Sequence, residues 1–165
     1  MRYTYNSIED YVNKMYKSIG VYHSRQLVIK TIADRLGLTI IYAPMESTHY
    51  GSVIYLDNRL SDMEQWQDFG HELCHVLWHA GNQLVMPPLH RDYQEWKAFN
   101  FCMHVCVPTF MLDNLNFPRD FIGAACLIQE TFNVTYEFAE MRLEQWRQQI
   151  EGHSFQLKLF QEVMR

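Results

Sequence analysis

Residues 71–75 read His71-Glu72-Leu73-Cys74-His75, and this stretch restricts the fold more tightly than any other. Successive residues of a helix turn by about 100°, so His71 and His75 stand nearly in register, one turn apart on one side. Two imidazoles so placed can share one divalent ion, with Zn–N distances of about 2.0–2.1 Å. Glu72 lies beside them. It reaches the solvent position of such an ion rather than the ion itself, which is where a general base is needed. The surrounding sequence predicts the helix that this requires. Ser61 and Glu64 have capping-box spacing, the helix runs to Ala80, and Gly81-Asn82 stops it. Trp66, Phe69, Leu73, Val76, Leu77 and Ala80 form its core stripe, while His71, His75, Trp78 and His79 lie mainly on another side. The bland alternative is two surface histidines without a metal. A plainly solvated face would more often carry Lys and Glu.

A catalytic zinc usually has three protein ligands and an open position. A further helix is expected from about Asp92 to Val107, halted by Pro108, after a loop at 82–91 around Pro87-Pro88. On it Glu95, Ala98, Phe99, Cys102, Met103 and Cys106 share one face, so a carboxylate heads an apolar stripe. Burying it without a partner is costly, and a metal is one partner that resolves the cost. The competing explanation is local: Asp92 and Glu95 also have capping-box spacing. Spacing alone leaves both readings open.

The rest of the chain predicts an α+β, mostly helical protein. Helices are expected over Ile8–Ile19, with Ser7 and Asp10 as a capping box and Gly20 at the end, and over Ser24–Leu36, closed by Gly37. Leu38–Ala43 and Val53–Leu56 are β-branched runs, expected to form a small antiparallel sheet because the link between them is short for a helical crossover. Helices should follow at about 119–131 and 135–150, with a short piece after Gly152. We expect one domain: N-terminal helices over 1–37, sheet and metal-site helices over 38–108, and a helical region over 109–165. Cys74, Cys102, Cys106 and Cys126 include no Cys-x-x-Cys pair and read as reduced, packed thiols.

Composition excludes other classes. Apolar residues make up 48% of the 165, enough to bury a core. The uncharged stretch Phe99–Leu112 carries Asn100 and His104 and is too short and polar to span a bilayer. The first residues, Met1 to Asn6, contain no apolar run, so a cytoplasmic location is expected. A net charge of −5 argues against a nucleic-acid or anionic-lipid surface.

The segment GSVIYLDNRLSDMEQWQDFGHELCHVLWH, followed by EWKAFNFCMHVCVP and FNVTYEFAEMRLEQW, resembles the ImmA/IrrE metallo-endopeptidases over roughly Gly51 to Leu143. The second segment matches the family's Glu-x-x-Ala with a following Phe and a final Pro. The third is similar to its Phe-x-Val-Ser/Thr with a later Arg-Leu. The resemblance implies a zincin-like arrangement with His71 and His75 as ligands, Glu95 as the third ligand and Glu72 as base. Zinc is the expected ion, and manganese or iron suits such donors too. It further implies a narrowly specific intracellular protease of a phage or mobile element that cuts a helix-turn-helix repressor and relieves repression. The family commonly has Gly where Cys74 stands, and small residues or Leu at Cys102 and Cys106. Cys74 then reads as a thiol filling a packing gap, with an adventitious soft ligand as the alternative. His104 is expected to be partly buried or on the surface, and His79 at most to lie near the site.

Two rival functions stand beside this one. A non-proteolytic antirepressor would use the metal structurally, yet a structural site needs no Glu72 and is usually closed by four ligands. A helix-turn-helix DNA-binding module over Phe121–Gln145 is opposed by charge, since residues 117–165 carry five Lys/Arg and seven Asp/Glu. Tyr50, Tyr93, Arg91 and His90 are candidate oxyanion donors that the sequence does not rank. The strand at Val53–Leu56 is expected to be able to pair with an extended substrate segment.

Overall fold

Asn6 opens the first helix, α1 (Ser7–Ser18): its side chain accepts the N–H groups of Ile8 and Glu9, and Glu9 returns a bond to the N–H of Asn6. The capping box therefore sits one residue ahead of the expected Ser7/Asp10 pair. The computed structural model describes residues 5–78 and 87–163, the last eleven of these by backbone alone. Expectations for His79, Ala80, the Gly81-Asn82 stop and the loop at 82–86 lie outside the described residues. After α1, Gly20 takes a positive φ of 70°. The expected long second helix is split. Ser24–Gln26 make a 3-10 turn, closed when the Gln26 side chain accepts from the N–H groups of Tyr22 and His23. Val28 is extended, and α2 (Ile29–Leu36) starts after it and ends at Gly37 with φ 74°.

Three strands follow: β1 (Thr39–Ala43), β2 (Thr48–Tyr50) and β3 (Val53–Asp57), in the order β1-β3-β2. The sheet is mixed. The two β-branched runs, β1 and β3, are parallel, with Thr39 opposite Val53 and Ala43 opposite Asp57, which corrects the antiparallel expectation for that pair. The physical reason is the short strand between them. β2 turns back through Gly51 (φ 56°) and pairs antiparallel with β3, so the chain crosses the sheet without a helix. β3 is thereby central, with both edges paired. It cannot accept an added strand, contrary to expectation.

α3 (Asp62–Trp78) begins at the expected box: the Ser61 N–H donates to Glu64 at 2.9 Å. α4 (Pro88–Cys106) begins a turn earlier than expected, because Pro at the first helical position loses no hydrogen bond there. It ends before Pro108, as the sequence predicts. The two helices meet at Gly70, where an added Cβ would lie 2.8 Å from Cys106 Sγ and 3.2 Å from Cys102 Sγ. Both thiols point at carbonyls of α3, Cys102 at Gln67 O and Cys106 at Trp66 O. They are packing groups in the interhelical groove. Trp78 turns into the core, its ring 4.6 Å from that of Phe101 and 4.9 Å from that of Tyr11, rather than toward the histidines.

α5 (Thr109–Leu112) leads to α6 (Phe121–Phe132), capped by Asp120, and to α7 (Tyr136–Val163), which runs on where two pieces were expected. Arg142 of α7 is fully buried. Its guanidinium donates to Val107 O, Thr109 Oγ1 and His104 Nδ1, and Thr109 in turn donates to the buried Glu9 at 2.7 Å. His104 is therefore interior, not superficial. Burial and the adjacent Arg142 push its pKa down to about 2, so it is neutral. No described helix is long and apolar enough to cross a membrane.

Candidate metal centre

Helical spacing and the Gly70 crossing together place three donor atoms in one spot. His71 and His75 project from one side of α3, and Glu95 projects toward them from α4. Asp92 lies inside α4, so Glu95 caps nothing: the local alternative falls with the earlier helix start. His71 Nε2 lies 3.0 Å from Glu95 Oε2, His75 Nε2 lies 3.1 Å from His71 Nε2, and His75 Nε2 lies 3.5 Å from Glu95 Oε1. Taken one donor atom per residue, the three lie within 4.8 Å of one another, close enough to share one metal ion. Among the described residues, these three form the one group of metal-ligand type so gathered.

The chemistry of the donor set agrees. Two imidazole nitrogens and a carboxylate that converge this closely are hard to satisfy by protons alone, and a divalent cation satisfies all three. Exposure is graded across the group. His75 is buried, whereas His71 and Glu95 are partly exposed, so the face is open to solvent on one side. Three protein donors, rather than four, is also the number that catalytic as opposed to structural zinc sites use.

Glu72 stays largely buried beside this group, and its Oε2 lies 2.7 Å from Nδ1 of His49. His49 comes from β2, and its ring stacks on that of His75 at 5.3 Å, within 6° of parallel. No sequence expectation named His49. Its three-residue strand is too short for a periodic signal, and a lone Thr-His-Tyr before Gly51 reads as a turn.

Cys74 is fully buried, burial pushes its thiol up to about 12, and its sulfur is not among the donor atoms gathered by His71, His75 and Glu95, which fits a packing group. Of the proposed oxyanion donors, Tyr50 and Tyr93 are exposed, Arg91 is exposed, and His90 lies 3.4 Å from Gln94 along α4.

Residues 26–144 match the IrrE N-terminal-like domain of the M78 peptidases, a span that takes in the whole sheet, both site helices and Arg142. The chain belongs to that family. It is 39% identical over 156 residues to the phage-like element PBSX protein XkdA of Bacillus subtilis strain 168, covering 92% of this chain and 79% of that one. It is also 36% identical over 159 residues to the uncharacterized protein YqaB of the same strain, covering 94% and 92%. Family and relatives together make this a phage-related, metallopeptidase-type domain.

Proposed function

We propose that this chain is a zinc-dependent endopeptidase in which His71, His75 and Glu95 hold the ion and Glu72 is the general base. The observation that carries the reading is the gathering of one donor atom each from His71, His75 and Glu95 within 4.8 Å of one another, with a carboxylate one residue from the first histidine. Bound there, a divalent ion supplies Lewis-acid polarisation of a carbonyl and acidifies a water ligand. Glu72 does the proton work. One of its oxygens is taken by His49, and the other accepts a proton from the nucleophile and returns it to the leaving amine. The partly exposed side formed by His71 and Glu95 admits the substrate.

The substrate we propose is a helix-turn-helix repressor of a phage-type element, cut at one site so that repression is relieved. The phage-element name borne by one relative supports this setting. A protease working among its host's proteins must discriminate, which favours recognition of an extended surface. β2 supplies the sheet edge beside the site, where an extended segment can add by main-chain hydrogen bonds. Arg142, one of the five cations in the last third, is locked in the core and unavailable to phosphate, which further weakens the DNA-binding alternative.

The test is to load the protein with zinc, add the repressor encoded beside its gene, and look for fragments by mass spectrometry. One cleavage site in the wild type is expected, with none for a Glu72→Gln protein that still holds one zinc per chain. Release of the repressor from its operator without fragments would replace cleavage with antirepression.

A further inference from the structure

We infer that His49 is a positioning residue for Glu72, and that strand β2 is thereby keyed to the catalytic face. The inference rests on the peptidase reading above. Register explains why this side chain turns inward. Across the antiparallel pair His49 stands opposite Ile54, which is fully buried, so both side chains point to the α3 side of the sheet. Alternation then turns Thr48 and Tyr50 outward, and both are exposed. His49 is thus the side chain of β2 that faces the metal helix.

Two contacts follow. An ionised carboxylate only accepts hydrogen bonds, so the 2.7 Å approach to Glu72 puts the imidazole proton on Nδ1, and His49 donates. Such charge-assisted bonds are short and strong, and this one occupies a single oxygen, leaving the second for proton transfer. The face of the same ring lies flat on His75. A Glu side chain on a helix has three torsions to fix, and freezing them costs conformational entropy. A bond from a strand paired to the central β3 fixes them before substrate arrives, which is the preorganisation that general-base catalysis needs.

Two substitutions separate the contacts. His49→Phe keeps a ring over His75 and deletes the donor. His49→Asn deletes the ring and keeps an N–H near the place of Nδ1. With the repressor as substrate, His49→Phe is expected to lower kcat 10- to 100-fold at unchanged KM, and His49→Asn to recover most of it. Zinc affinity, read by competition with a chromophoric chelator, should stay within threefold in both. An independent readout is long-range 1H–15N NMR of the zinc-loaded protein at fixed pH. His49 should be the Nδ1–H tautomer in the wild type, and should lose that signature in Glu72→Ala. The same tautomer and shifts in both proteins, or a 10-fold fall in zinc affinity that accounts for the kcat loss, would overturn the inference. If the wild type cleaves nothing, the peptidase reading fails, and the NMR comparison still decides whether His49 holds Glu72.

Discussion

Gly70 illustrates how a single missing side chain sets the site. The motif predicts two ligands on one helix, but their third partner sits on another, and the approach of those helices depends on the space at position 70. In Gly70→Ala the new Cβ would lie 2.8 Å from Cys106 Sγ, too close for the groove to absorb without movement. Overpacking of this kind costs about 1–3 kcal/mol. The expected result is a lower urea midpoint together with weaker zinc binding, as Glu95 is pushed from the histidines. Gly70→Ala with Cys106→Ala should recover part of both, since the thiol that clashes is gone. An equal loss of zinc affinity in the double variant would show that the groove does not govern Glu95. That His71, His75 and Glu95 come together is legible in the sequence, because two of them are set within one helix and the third by a family likeness. His49 and Gly70 are not, because their importance arises only where separate elements cross.

Among the elements, some boundaries are set by neighbouring residues and others by distant ones. Ser61/Glu64, Gly37 and Pro108 act locally, so sequence suffices. The direction of β1 against β3 depends on a three-residue strand whose only guide is its partner, and the start of α4 on a proline that both ends and begins helices. The clasp among α1, α5 and α7 is likewise invisible locally. Its centre is the Thr109 hydroxyl, which accepts from Arg142 at 2.8 Å and donates to Glu9 at 2.7 Å. Thr109→Val keeps the shape and removes the bridge between two buried charges. We expect a loss of about 2–4 kcal/mol by urea denaturation with unchanged zinc affinity. His104 of the same network gives a pH signature. Its folded pKa, about 2, lies below the ordinary 6.5, so the unfolded chain takes up a proton that the native one refuses. Stability from this group is complete above pH 6.5 and falls as pH drops through the window from 6.5 toward 2. The slope approaches 1.4 kcal/mol per pH unit once the unfolded histidine is fully protonated. His104→Asn keeps an acceptor for Arg142 and cannot titrate, so its stability should fall less steeply between pH 6 and pH 4. Parallel curves for the two proteins would remove His104 as the source.

At the scale of the whole molecule, the question is whether the ion builds the fold or the fold waits for the ion. The apolar core runs from Val12 and Tyr16 through Phe69, Leu73 and Phe101 to Ile128 and Phe138; of the proposed ligands His75 alone is buried, while His71 and Glu95 stay partly exposed. α3 and α4 are joined by Gly70 and the two thiols, and α1 by the Tyr16 hydroxyl bond to Val105 O at 2.8 Å, without help from a metal. This is unlike a small zinc finger, where the ion replaces a core. Chelation is therefore expected to leave a folded protein with native far-ultraviolet dichroism and a cooperative thermal transition at lower temperature. The size of the shift follows from mass action: at free zinc 100-fold above Kd, binding adds about 2.7 kcal/mol. Glu95→Gln weakens the third donor, so its Tm should respond to added zinc only at higher concentrations, while its metal-free Tm stays close to that of the metal-free wild type. The same experiment separates ligand from scaffold. A metal-free Glu95→Gln protein much less stable than the metal-free wild type would mean that residue 95 holds α3 to α4 by its hydrogen bonds. Loss of the cooperative transition on chelation would mean that the ion organises the core after all.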